Sequence, residues 1–129
     1  MLATTELQAR IHSVLTGASI AGGRVYDQPP QEAVFPYVVI GEVFPAPFRT
    51  HSRDGEELLH TIHVWSRYAG FREALLIAEA IKPLLDHTDF ETTTFHGVCL
   101  RAGTVWMRDP DGLTRHGALD FRFWLMVKN

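Results

Sequence analysis

Near the start of the chain, Leu7, Ile11, Val14 and Leu15 recur at helical spacing, which predicts one amphipathic helix. Thr5-Glu6-Leu7-Gln8 has the form of a capping box at its start, and Gly17, followed by Gly22-Gly23, should end it. The period then changes. Residues 24–27 read as a short strand, and residues 37–44 as a second, nearly continuous apolar run that Pro45 and Pro47 should end. Residues 58–67 form a third, with Ile62 and Val64 on one face and Thr61, His63 and Trp65 on the other. Helical spacing returns at Phe71, Ala74, Leu75, Ala78, Ile81 and Leu85, where Pro83 should loosen the last turn. Residues 98–108 and 115–127 are strands on either side of the turn Asp109-Pro110-Asp111-Gly112. The last strand carries the clearest alternation: Leu119, Phe121, Phe123, Leu125 and Val127 against Asp120, Arg122 and Trp124.

These elements predict an α+β fold, an antiparallel β-sheet with two α-helices packed on one face, in the order α-β-β-β-α-β-β. At 129 residues the expectation is a single domain, 1–129, able to bury roughly two thirds of its unfolded surface. Two connections stand out. Pro29, Pro30 and Pro36 exclude helix or central strand from the segment before Tyr37, so it reads as a stiff extended connector. Residues 45–57 read as a long exposed loop holding Phe48, Arg49, His51, Arg53 and Asp54, an apolar anchor with both charge signs, as interface rims have. Such a loop is expected to be mobile alone and to order against a partner.

Charge and cysteine usage narrow the function. A formal net charge of -3 argues against a dedicated binder of nucleic acid or acidic membrane. With Cys99 as its one cysteine, the chain has no disulfide framework and no multi-cysteine zinc site. The opening MLATTELQARIH lacks the apolar core of a signal peptide, and no run approaches the roughly 20 apolar residues of a membrane span.

The seven histidines invite a metal reading. His60 and His63 sit three apart on a predicted strand, so they face opposite ways, and partly exposed sheet histidines are the expectation rather than zinc ligands. His51-Ser52-Arg53-Asp54 contains hydrolase residue types but no nucleophile elbow. Cys99, in mid-strand, reads as a buried inert thiol. Asp109 and Asp111 read as turn residues, because the oxygen-ligand run of a calcium loop is missing. Neither Gly22-Gly23 nor Gly55 has phosphate-loop spacing. The residues therefore argue for no enzyme, no cofactor and no metal. What remains is surface: Trp65 and Trp124 point away from the apolar rows of their strands, onto a sheet face with no helix left to cover it, which suits a partner better than a second core layer.

VYDQPP, FPYVVIGE, HVWSRYAGFREALLIAEAIKPLL and RDPDGLTRHGALDFRF together resemble the tail-completion, or tail-terminator, proteins of long-tailed bacteriophages and gene transfer agents, over residues 5–127. The resemblance implies a virion protein of the tail, made in the bacterial cytoplasm. It implies a homo-oligomeric ring, usually a hexamer, seated on the last ring of tail-tube protein, ending tube polymerisation and offering its other face to the head connector. DNA would cross the lumen without specific binding, which mild acidity suits. No catalytic residue is carried over. Within that reading Pro29 and Pro30 make a preordered arm, and Phe48, Arg49, Arg53, Asp54, Trp65 and Trp124 are candidate ring or partner contacts. The alternatives are a head–tail adaptor or stopper, a small monomeric ligand-binding domain, and a hydrolase using His51 or His63.

Overall fold

The computed structural model describes residues 2–128, in which the periodic stretches become α1 (Leu2–Gly17), a 3-10 turn (Ile20–Gly23), β1 (Val25–Tyr26), β2 (Tyr37–Pro47), β3 (Gly55–Ser66), α2 (Arg72–Leu85), β4 (Thr88–Glu91), β5 (Phe95–Arg108) and β6 (Arg115–Val127). The strands form one six-stranded sheet in the order β1-β2-β3-β6-β5-β4. Both helices pack on one face, because Leu7, Ile11 and Leu15 of α1 and Ala74, Ile81 and Leu85 of α2 meet the inward rows of the strands in one buried cluster. The alternation in β6 carries through to burial: Leu119, Phe121, Phe123 and Leu125 are fully buried.

The α+β class with two helices on one face matches expectation, but the sheet and its order differ in three places. First, β1 and β2 are parallel, Val25 opposite Val38 and Tyr26 opposite Val39. Parallel neighbours need a crossover that returns the chain to the starting end. Residues 27–36 are that crossover, and with β1 only two residues long no helix is needed to span it. The proline connector is thus a topological device. Its Phe35-Pro36 bond is cis, Arg24 Nε donates to the Pro36 carbonyl at 2.8 Å, and the Arg67 guanidinium sits 4.3 Å over the Phe35 ring.

Second, β4 was not foreseen, so the true order is α-β-β-β-α-β-β-β. Its sequence TDFE has one apolar residue, Phe90, and no legible alternation; pairing with residues 96–99 of β5 makes it a strand. Third, the expected loop 45–57 is mostly hairpin. Pro45 pairs with Leu58 and Pro47 with Glu56, leaving only residues 48–54 as the tip. The prolines are tolerated because β1 covers β2 only at Val38 and Val39; beyond them β2 has a free edge, where a missing donor costs nothing. At the tip the Phe48 amide donates to Gly55 and the Thr50 amide to Arg53, both at 3.0 Å.

α1 already runs from Leu2, so Thr5 is not an N-cap. Its neighbour Glu6 instead accepts the Thr94 amide at 2.8 Å and the Thr94 hydroxyl at 2.6 Å, tying α1 to the β4–β5 turn. Pro83 lies in the last turn of α2, which closes with the Asp86 amide donating to the Lys82 carbonyl at 2.7 Å. The 109–112 turn forms as read. Asp111 accepts from the amides of Leu113 and Thr114 and from the Thr114 hydroxyl, and these bonds, the hydroxyl first, hold its carboxyl down at about 2. Cys99 is buried, and burial pushes its thiol up to about 12, so it is inert at neutral pH.

Candidate functional site

Along β3 and β6 every second residue belongs to the core, so the intervening ones must stand on the face that carries no helix. Cross-strand register brings them together as Trp65 opposite His116, His63 opposite Ala118, Thr61 opposite Asp120 and Glu57 opposite Trp124. The polar groups in this row partner one another. The Thr61 hydroxyl donates to Asp120 at 2.6 Å. Glu57 accepts the Trp124 indole N–H at 2.7 Å and Arg122 Nη1 at 3.1 Å.

A chain of three ionisable groups crosses the face. His63 Nε2 donates to Glu42 Oε1 at 2.6 Å, and His63 Nδ1 shares a 2.6 Å hydrogen bond with His116 Nε2. Trp65 stacks on His116 with ring centroids 3.8 Å apart and planes 9° from parallel. The chain needs Gly41, because a Cβ there would come within 2.5 Å of the His63 ring. The hydrogen bond from His63 holds the Glu42 carboxyl below its usual range. Burial, then the neighbouring His63, lowers His116. Two imidazoles and a carboxylate thus form one hydrogen-bonded polar row across the face.

Around this polar row lies apolar surface. β5 contributes Val98, Leu100, Val105 and Met107, all exposed, and β2 contributes Phe44, which is 76% exposed. Their register partners Trp124, Arg122, Ala118, His116 and Leu59 place them on the same uncovered face.

The candidate residues read from the sequence fall into two groups. Phe48 and Trp124 line one open hollow with His96, Val98 and Met126. Beside it Arg53 Nη1 reaches His96 Nε2 at 3.3 Å, and Arg49 pairs with Asp54 at 3.7 Å in full solvent, an ion pair that contributes little. Pro29 and Pro30 sit in the crossover, whose turn closes with the Ala33 amide donating to Pro30 at 3.1 Å. Trp65 lies at that same end. Along β3, Trp65 and the Glu57 partner of Trp124 are about 26 Å apart at ~3.3 Å per residue, so the two groups lie at different ends of the sheet. Sequence reasoning missed Glu42 and His116 as partners of His63, because only the bulge in β2 between Ile40 and Val43 and the β3–β6 register put them side by side.

His60 corrects a further expectation: it is 1% exposed on the core face rather than partly exposed, and its Nδ1 has no hydrogen-bond partner among the described residues. Burial lowers its pKa, as it does that of His116. For such groups the unfolded chain binds the proton more tightly, so stability is complete above 6.5 and falls as pH drops from there towards the folded pKa values. Glu42 adds a loss below 4.5. His60→Leu is expected to raise stability by about 1 kcal/mol at neutral pH, since an orphaned buried polar atom is removed, and to flatten the decline below pH 6.5. Denaturation midpoints on both sides of that pH check it; an unchanged acid limb would show that His60 is not the group responsible.

Comparison with known proteins gives a consistent picture. A family model described as tail completion protein gp17 matches residues 5–126. The chain is 34% identical over 105 residues to the tail completion protein gp17 of Bacillus phage SPP1, covering 78% of this chain and 75% of that protein. Among solved structures it is similar to a chain in the virion of a native gene transfer agent (GTA) particle, with a TM-score of 0.86 and 25% identity over 95% of this chain and 96% of that one. It is also similar to the structure of bacteriophage SPP1 gp17, with a TM-score of 0.60 and 30% identity over 100% and 93% of the two chains.

Proposed function

The chain belongs to the tail completion protein gp17 family, and from that premise we propose that it forms a closed ring at the head-proximal end of a phage-like tail tube. It is a structural component of the virion and not an enzyme, and it assembles with other tail and head proteins. In the proposal the ring, a hexamer, caps the last ring of tail-tube protein, stops further polymerisation and presents its other side to the head connector. The observation that carries the reading is the helix-free sheet face. A monomeric domain of this size would leave Phe44, Val105 and Met107 in water for no gain. A repeated contact between copies covers such surface. DNA passes through the lumen without specific contact, in keeping with a net charge of -3.

The hairpin tip 48–54 is the part of this reading most open to experiment. It carries Phe48, the exposed Arg49–Asp54 pair and Arg53, and few buried contacts depend on it. Replacing residues 48–54 by a single Asn, so that Asn-Gly55 turns between the paired Pro47 and Glu56, is expected to leave the melting temperature within about 3 °C, while the resulting particles carry tubes of uncontrolled length that do not join heads. Tails of normal length joined to heads, seen by electron microscopy, would remove the tip from the proposed contact. The head–tail adaptor reading is separated by particles lacking the protein altogether. Overlong tubes support termination; tubes of correct length without heads support an adaptor.

A further inference from the structure

The hydrogen bonds that run from Glu42 to His116 fix where each ring proton must sit. An ionised Glu42 can only accept, so the 2.6 Å bond to it comes from His63 Nε2–H. A neutral imidazole carries one N–H, which leaves His63 Nδ1 bare. The 2.6 Å bond on that side is therefore donated by His116 Nε2–H. His116 Nδ1 is then the one bare nitrogen left on the pair, and a first proton placed there breaks neither bond. The proton in the short bond can pass from His116 Nε2 to His63 Nδ1, which moves the positive charge next to Glu42 without moving a heavy atom. A second proton has no such place. His63 Nδ1–H and His116 Nε2–H would then point at each other across 2.6 Å with no acceptor between them, and two like charges would adjoin. A proton taken by Glu42 lacks this effect, because a carboxyl still accepts from His63.

We propose that this row is a pH-sensitive latch on the helix-free face, closed while the two imidazoles share no more than one added proton and opened by the second. The moving part is His116. His63 lies over Gly41, its ring filling the place of a Cβ, and Glu42 holds its other nitrogen. His116 faces the exposed Met107 of β5, so its ring turns out on that side and leaves the Trp65 ring uncovered. The surrounding groups do not supply a second acceptor. Burial raises Tyr37 of β2 above its usual 10, so it stays neutral, and Asp120 of β6 is engaged by the Thr61 hydroxyl. Arg67, beyond Trp65, is turned to Thr114 and Asp111, and β5 brings the apolar Val105 and Met107. Asp109 and Glu42 favour a charged His116, but burial and His63 outweigh them, so the last proton arrives below 6.5. The row belongs to the surface that the ring reading covers, and its consequence for assembly rests on that reading: a neighbour fitted to the closed row loses its fit when His116 swings out.

Imidazole and indole nitrogen resonances of the ¹⁵N-labelled chain, followed from about pH 8 to about pH 4, test the latch. His63 and His116 are expected to respond together in two steps, the Trp65 indole signal staying still through the first and shifting with the second. His116→Gln keeps a donor for His63 Nδ1 but takes no proton, so it is expected to abolish the second step and the Trp65 shift. Glu42→Gln still accepts from His63 and is expected to keep both steps, moved to lower pH. Sedimentation over the same range reads the consequence. Self-association is expected to hold through the first step and then weaken by about tenfold per pH unit, but not in His116→Gln. Independent one-step titrations of the two histidines, or a Trp65 shift that persists in His116→Gln, overturn the latch. Acid dissociation identical in parent and His116→Gln overturns its role in assembly and leaves the ring standing. Monomers at every pH with no ring in particles overturn the ring reading itself, and the nitrogen spectra still decide the latch.

Discussion

Phe123→Ala is expected to lower stability by about 4 kcal/mol, a large share of the 5–15 kcal/mol typical of a domain. Phe123 is fully buried in β6. It stands edge-to-face with Phe90, ring centroids 5.1 Å apart at 70°. Truncation loses the transfer free energy of the ring and leaves a cavity that the long strands around it cannot collapse into. It also removes the aromatic contact that holds β4, a strand with only one buried side chain. Urea denaturation should show the midpoint shift, and amide exchange should show residues 88–91 opening before the rest of the sheet. A loss below about 1 kcal/mol would mean that the site repacks and that β4 is held by its backbone pairing alone.

Gly97→Val is expected to be nearly as damaging, about 3 kcal/mol or more. Gly97 lies between β4 and β6, opposite Phe90 on one side and Leu125 on the other. Its φ is not the issue. A Cβ at this position would come within 1.7 Å of the Trp124 carbonyl oxygen and 2.7 Å of its carbonyl carbon. The obstruction is backbone, which cannot rotate aside as a side chain does, so β5 must move off β6 and take β4 with it. Val98→Ala next to it is the control: Val98 is exposed, and its truncation is expected to change stability by less than about 0.5 kcal/mol. Gly97→Val indistinguishable from that control would show that β5 and β6 approach less closely here than the geometry states.

Much of the fold was legible in the sequence, and its limits fall at identifiable residues. Helical spacing at Leu7, Ile11 and Leu15 and at Ala74, Ala78 and Ile81 set two helices and their buried stripes. Period-two alternation put Phe121 and Phe123 inside and Trp124 outside. Turn chemistry at Asp109 to Gly112 appears in the structure, with Gly112 at φ 72°. These signals are local: a side chain's direction relative to its neighbours follows from backbone geometry within a few residues. The two tryptophans could therefore be put on the uncovered face in advance.

Pairing is not local, and there the sequence was silent or misleading. Nothing in Val25-Tyr26 says that its neighbour runs parallel, and nothing in Thr88 to Glu91 says that it is a strand; each becomes one through hydrogen bonds to a distant segment. Pro45 and Pro47 looked like strand ends because a missing donor is costly inside a sheet. Only the shortness of β1, which leaves their side of β2 open, makes them tolerable. The same holds for the surface chemistry. Glu42, His63, Trp65 and His116 span 75 positions from first to last, and only the bulge between Ile40 and Val43 together with the β3–β6 register makes them one hydrogen-bonded and stacked row. Sequence by itself determined which residues face the core and which face away. Tertiary structure decided which strands are neighbours, which edges stay open and which side chains meet, because register is a property of two segments at once and each carries only half of it.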